Sequence, residues 1–184
     1  MEKKYEFVED DVIMVGNRTL HRIVAVRDFD LARGGEIEAG DLGGYIESED
    51  NLSHDGLCWV DGDAEVYGNA RVYGDAWIGY QAKVCGQAKV YGKARVDECA
   101  VVSDQARVYD HACVRDYAKV CGQARVYDRA RIFNDAIVSS QAKIHEDAEI
   151  CDCAIISGQI EVYGEAMLGC NIKIRGQAKI CSSL

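Results

Sequence analysis

AEVYGN, ARVYGD, AWIGYQ, AKVCGQ, AKVYGK, ARVDEC: residues 64–99, written in sixes, decide the fold. The same phrasing continues without insertion or deletion to IKIRGQ at 172–177. That makes nineteen complete units from Ala64, and a twentieth begins AKIC. Position one is Ala in all but Ile160 and Ile172, and position three is Val, Ile or Leu throughout. Positions one and three lie two apart, so in a short strand they point the same way. A small and a branched aliphatic side chain, repeated, fill a narrow interior. Positions five and six are often Gly, Asp, Asn or Gln, which suit a corner. A corner every six residues leaves strands too short for a hairpin meander. The arrangement that fits is a coil with three flat sides and eighteen residues per turn, each turn stacked on the last. Residues eighteen apart then form ladders at the strand spacing of about 4.8 Å.

Bulk properties limit the alternatives. The chain has 184 residues and a formal charge of −10. Residues 1–63 hold 6 Lys/Arg against 16 Asp/Glu, whereas residues 64–184 hold 15 of each, so the acidity belongs to the N-terminal third. Phosphate contact needs a basic surface, so general nucleic-acid binding is not expected. No run of eighteen apolar residues suggests a membrane span. MEKKYEFVEDD lacks the apolar segment of a signal peptide, which predicts a cytoplasmic protein. The nine cysteines then act as free thiols and small hydrophobes rather than a disulfide framework.

Before the repeat, YEFVEDDVIMVGNRTLHRIVAVRDF reads as strands with a hairpin turn at Gly16-Asn17. A glycine-rich stretch follows, with Gly34, Gly35, Gly40, Gly43 and Gly44. The end of a solenoid exposes strand edges and an open core, so residues 1–51 are expected to be a β-rich acidic cap and residues 52–184 the solenoid. CWVDGD at Cys58 already fits the six-residue phrase; LSHDGL at Leu52 fits it poorly. An open end at Leu184 invites tail-to-tail contact.

The spacing of Val66 and Ala70, Val72 and Ala76, and Val84 and Ala88 resembles the hexapeptide-repeat family. The resemblance covers about two thirds of the chain and implies an all-β, left-handed parallel β-helix. GDLGGYIESEDNLSHDGLCWV leading into such units is similar to bacterial and phage proteins of the YdcK type, which carry an acyltransferase label on fold alone. A phage-type setting would suit a protein that sequesters a nucleotide signal or blocks a host protein. Relatives of this fold are commonly trimers, so a homo-oligomer, trimer or dimer, is expected.

Sorting the outward positions by eighteens gives three unequal faces. The first carries the aliphatics Val101, Ile137 and Ile155, candidates for a self-association interface. The second has two regular columns: Arg71, Lys89, Arg107, Arg125, Lys143, Glu161, Lys179 at position two, and Tyr73, Tyr91, Tyr109, Tyr127, His145, Tyr163, Cys181 at position four. The corner before it reads Asn69, Gln87, Gln105, Gln123, Gln141, Gln159, Gln177, a sequence able to form a side-chain amide ladder. Stacked like charges repel by about 1 kcal/mol per neighbour even in water. Either nearby acids such as Asp75, Asp110 and Asp128 offset this, or an anionic ligand or acidic partner surface does. Tyr beside Arg suits anions and flat rings. Arg71 to Lys143 with Tyr73 to His145 are therefore the candidate ligand-binding residues. The third face is irregular and shows no site.

The enzymatic alternative, acyl transfer from acetyl-CoA, needs a general base. His111, at a corner, and His145, in the tyrosine column, are the candidates. Resembling enzymes use a looped-out coil and a C-terminal segment to build their site, whereas here the repeats run unbroken into CSSL. No resident cofactor is expected. Cys85 and Cys121 share a column two coils apart, and Cys151 and Cys153 have no nearby His, so no metal site is expected. No phosphate-cradling GxxxxGK[ST] loop is present. The sequence thus predicts a non-catalytic binding or assembly solenoid, with pure self-assembly into a scaffold as a further alternative.

Overall fold

The computed structural model describes residues 2–182, and over them the chain is all-β, with a single 3-10 turn at Glu49–Asn51 and no α-helix. Two-residue strands recur at positions two and three of the six-residue units from Glu65–Val66 to Lys173–Ile174, except that Glu161 and Val162 lie inside a longer strand, Gln159–Gly164. They stack in parallel: Lys83 pairs with Glu65 above and Val101 below, and Lys89 with Arg71 and Arg107. The three faces are sheets of ten, seven and seven strands. Ala at position one and the aliphatic at position three are buried along the whole repeat as far as Val162, in one continuous core. The expected three-sided, eighteen-residue coil is what the chain forms.

The corners explain the phrasing. From Gly68 to Gly176 every fifth position has positive φ, yet eleven of these nineteen residues are not glycine. Six of the eleven are Asp or Asn, which tolerate the left-handed region best after glycine. Their side chains add a second role. The backbone N–H of the fifth position one coil later donates to them: Gly122 to Asp104 at 2.9 Å, Asn134 to Asp116 at 2.8 Å, Glu146 to Asp128 at 3.1 Å and Cys170 to Asp152 at 2.8 Å. A donor that the strand ladder leaves over is thereby satisfied.

The N-terminal segment joins this column edge to edge. β1 (Tyr5–Val15) and β2 (Arg18–Ala25) form an antiparallel hairpin around Gly16, whose φ is 63°. β3 (Phe29–Asp30) and β4 (Glu36–Ile37) form a small second pair. β5 (Leu42–Ile46) is the splice: it lies antiparallel to β2 and parallel to Glu65–Val66. The top coil thus starts at β5, passes through Leu52, which bridges Val72, and reaches Trp59–Val60, paired with Trp77–Ile78. It straddles residues 51 and 52. The offset is twenty residues at Tyr45–Glu65 and eighteen from Trp59 onward, which is why LSHDGL fits the phrase poorly.

Specific polar contacts tie the cap down. The Arg22 guanidinium donates to the Tyr45 hydroxyl (2.6 Å), the Gly43 and Gly62 carbonyls (3.0 Å each) and Asp11 (3.0 Å). Fully buried Lys4 donates from Nζ to the Cys58 carbonyl at 2.7 Å, and burial lowers its pKa. Glu47 accepts the Gly68 N–H at 2.7 Å and pairs with Arg18 at 2.8 Å, filling the role that fifth-position carboxylates play lower down. The Gly68 N–H and the Arg18 guanidinium hold the Glu47 carboxyl below its ordinary value. Phe29 meets the buried Trp59 edge-on at 5.4 Å and closes the top of the core. At the other end Leu168, Ile174 and Ile180 are only partly buried and Ile172 is exposed. The contact expected at Leu184 lies outside the described residues. All nine cysteines are free thiols, and no helix among the described residues is long and apolar enough to cross a membrane.

Two outcomes follow from this packing. A Cβ on Gly44 would stand 2.5 Å from the Ala64 carbonyl oxygen and 2.7 Å from Val60 Cγ1. Gly44→Ala is expected to cost about 2 kcal/mol by overpacking, read as a lower urea midpoint. The second concerns acid. The Asn134 N–H, aided by Glu98, holds the Asp116 carboxyl below its ordinary value. A depressed carboxylate stabilises the fold above its unfolded pKa and loses that contribution as pH falls through the folded one. The contribution of Asp116 should therefore fade as pH falls from about 5 to about 2, and Asp116→Asn, which keeps the acceptor, should flatten that part of the pH dependence of the thermal midpoint.

Candidate functional site: a cation ladder between glutamine and tyrosine columns

The second face is built from six-residue units whose second, fourth and sixth side chains point outward. In-register pairing stacks Arg71, Lys89, Arg107, Arg125 and Lys143 in one line, one residue per coil. Five cations at the strand spacing span about 19 Å. Glu161 interrupts the line below them, held at 2.8 Å by Lys179, whose ammonium keeps the Glu161 carboxyl below its ordinary value.

On one side of the cations runs an aromatic stack. The ring centroids of Tyr73, Tyr91, Tyr109 and Tyr127 are 4.8, 4.9 and 5.0 Å apart, with planes within 3° of parallel. His145 continues the stack at 4.7 Å below Tyr127, and Tyr163 follows at 5.4 Å. Burial, then the neighbouring phenol Tyr91, pushes the Tyr109 hydroxyl up to about 12, so the column presents neutral hydroxyls. On the other side runs the glutamine column. The Gln159 side-chain amide donates to Gln141 Oε1 at 3.1 Å, and Gln177 donates to Gln159 in the same way. Shallow grooves of about 330 Å³ lie over this strip, one over Gln123, Arg125, Gln141 and Lys143, another over Ser53, Arg71, Tyr73 and Lys89.

Some cations outside the ladder are paired with acids. Lys83 meets Glu65 at 2.9 Å, Arg95 meets Asp97 at 2.8 Å, Arg129 meets Asp147 at 2.6 Å and Arg131 meets Glu149 at 3.2 Å. None of the five ladder cations makes a salt bridge or a side-chain hydrogen bond among the described residues. The acids expected to offset them do not. Asp75 and Asp128 are turned to backbone, accepting the Leu57 N–H at 3.2 Å and the Glu146 N–H at 3.1 Å.

The remaining candidates fall in different places. His145 is a member of the ring stack, with Nε2 3.3 Å from Glu161. His111 is exposed at a corner, in a groove lined by Asp110, Asp128, Arg129, Glu146 and Asp147. On the first face Ile137 and Ile155 are adjacent and half-buried, and Lys119 separates them from Val101. Among the described residues no group of three or more His, Cys, Asp or Glu is placed to hold a metal ion. Gln123, Gln141 and Ser53 line the strip although the sequence reading took the glutamines as structural. Their recurrence at the same period as the cations was the available signal.

Stacked, in-register, three-sided coils whose variable side chains all face outward define a parallel β-solenoid. Within that class, residues 64–80 and 124–140 match the YdcK β-solenoid repeat, so the chain carries repeats of the YdcK type. The match covers about one coil in each stretch and concerns the repeat. No curated protein matches the chain.

The ring stack has a measurable weight. Tyr109→Phe keeps both ring contacts and should leave the unfolding midpoint nearly unchanged. Tyr109→Ala opens the stack on two sides and should cost about 2 kcal/mol in urea unfolding.

Proposed function

We propose that the chain is a non-catalytic binding and assembly module whose second face takes an anionic ligand or an acidic partner surface. The observation that supports this is the run of five cations stacked in consecutive coils, none of them in a salt bridge among the described residues. Each neighbouring pair costs about 1 kcal/mol even in water, a cost that any anion bridging two coils would remove. The ring faces of the tyrosines are occupied by one another, so a flat base would find only ring edges and hydroxyls. Of the settings that the YdcK-type resemblance implies, sequestering a nucleotide would have to rest on its phosphates, whereas covering an acidic host surface would use the whole strip.

Inorganic tripolyphosphate, followed by titration calorimetry, tests the face directly. Binding should weaken steeply with salt and fall by at least about tenfold in the Arg107→Glu, Arg125→Glu double variant. The thermal midpoint of that variant should stay close to that of the parent, because exposed charges contribute little to the fold. Arg131→Glu on the third face should leave binding intact. Undiminished binding by the double variant would reduce the ladder to a solvated wall.

The same reading includes self-association through the first face. Light scattering should then give a dimer or trimer for the parent chain and a monomer for Ile137→Lys with Ile155→Lys. A monomeric parent would remove assembly from the proposal and leave binding in place.

A further inference from the structure

The cap leaves charges without partners too, and they are opposite in sign to those of the ladder. β1 is not a plain strand. Glu6 and Phe7 pair with Val24 and Ile23, and pairing resumes at Val12 with His21, so the four residues Val8–Asp11 face Arg22 alone. A bulge of this kind re-aims side chains and ends pairing at a chosen place. Asp10 turns the chain there at a φ of 64°. Asp11 anchors the bulge, accepting from the Arg22 guanidinium and from the Tyr45 hydroxyl, each at 3.0 Å. Glu6, Glu9 and Asp10 are exposed. None of the three makes a salt bridge or a side-chain hydrogen bond among the described residues. We propose that this acidic bulge docks on the cation ladder of a second copy of the chain, an assignment that rests on the anion-binding reading above and makes the chain its own acidic partner.

Within one molecule the two sets of charges cannot meet. β1 and β2 extend the ten-stranded sheet of the first face, whereas Arg71 to Lys143 lie in a separate seven-stranded sheet. β5 is paired with both β2 and Glu65–Val66, which fixes the cap to its own face. Between two copies the charge distribution favours the contact. Residues 1–63 carry a balance of −10 and residues 64–184 a balance of zero, so setting cap against body keeps the two acidic caps apart. The apolar neighbours match as well. Phe7 and Val12 flank the bulge and are 36% and 44% exposed, and beside the cations the stacked tyrosines present ring edges. Carboxylates on cations set the register of such a contact, and apolar side chains on ring edges add buried area. Made twice about a two-fold axis, bulge to ladder and ladder to bulge, the contact closes a dimer.

Sedimentation equilibrium at two salt concentrations provides the test. The parent should associate at about 0.02 M salt, and this contact should be lost at about 0.5 M, where the first-face test above is read. Two variants disable opposite sides. Arg107→Glu with Arg125→Glu reverses the ladder. Glu6→Lys and Glu9→Lys with Asp10→Asn reverse the bulge, Asn being tolerated at positive φ. All of these groups are exposed, so thermal midpoints should stay close to that of the parent. Each variant alone should lose the low-salt association by at least about tenfold. Mixed in equal amounts they should associate again, because each bulge then meets a ladder of opposite charge. Tripolyphosphate should compete and separate the parent copies. The assignment is overturned if the parent has the same mass at both salt concentrations, if either variant alone keeps the low-salt association, or if the mixed variants stay apart. In those cases the anion-binding face stands, provided that tripolyphosphate binding is lost in the ladder variant. If tripolyphosphate binds the parent no better than that variant, the face reading falls and the contact falls with it.

Discussion

The corner residue held at positive φ is the constraint on which the rest of this molecule depends. It turns the chain every six residues, so that three corners close a coil and each coil lies squarely under the last. Nineteen successive fifth positions adopt it, and any one that could not would shift every residue below it. Glycine meets the demand by lacking a Cβ. Asp and Asn meet it at modest strain and offset that strain by accepting an N–H from the coil beneath. The vertical hydrogen bonds from Asp104, Asp116, Asp128 and Asp152 therefore belong to the folding problem rather than to any ligand.

Once corners fix the register, each side chain is stacked on its counterpart eighteen residues away. The consequence depends on the chemistry of the column. Aliphatics interlock, amides chain together, and phenols pack face to face with planes nearly parallel. Side-chain ladders of this kind are what stabilise flat, weakly twisted sheets. Cations are the exception, because stacking only concentrates their repulsion. The first and third faces set their cations apart, with Cys113 between Arg95 and Arg131 and Lys119 between Val101 and Ile137, and pair Lys83, Arg95 and Arg131 with acids. The second face stacks five cations in consecutive coils, and none of the five makes a salt bridge among the described residues.

Much of this was legible in the sequence because a solenoid converts periodicity into space. Ala64 to Ile180 gave the coil, its three faces and the identity of each column, including the six-ring stack and the five cations. Other features lay outside the period. The start of the solenoid at β5 depends on Gly43 and Gly44 admitting a close neighbour, and no six-residue phrase announces it. Arg22 gathers the hairpin and the first coil through contacts spread over fifty-two residues, from Asp11 to Asp63. The diversion of Asp75 and Asp128 to backbone donors was also hidden, since composition places acids near the cations without saying which way they turn. Closure of the tyrosine faces could be anticipated from stacking, but its effect on flat ligands appears only with the ring distances in hand.

The unbroken eighteen-residue coil has a further meaning for how such a chain can change. A coil is a closed unit that enters and leaves at the same point, one strand spacing lower. Duplicating or excising one whole coil preserves each neighbour relation except at a single junction. Inserting one residue within a face would rotate all later side chains out of their columns. The molecule is thus free to vary in whole-number steps of length and nearly forbidden to vary otherwise. Its lineage can adjust how many charges it displays as one adjusts the number of teeth on a rack, without redesigning the tooth.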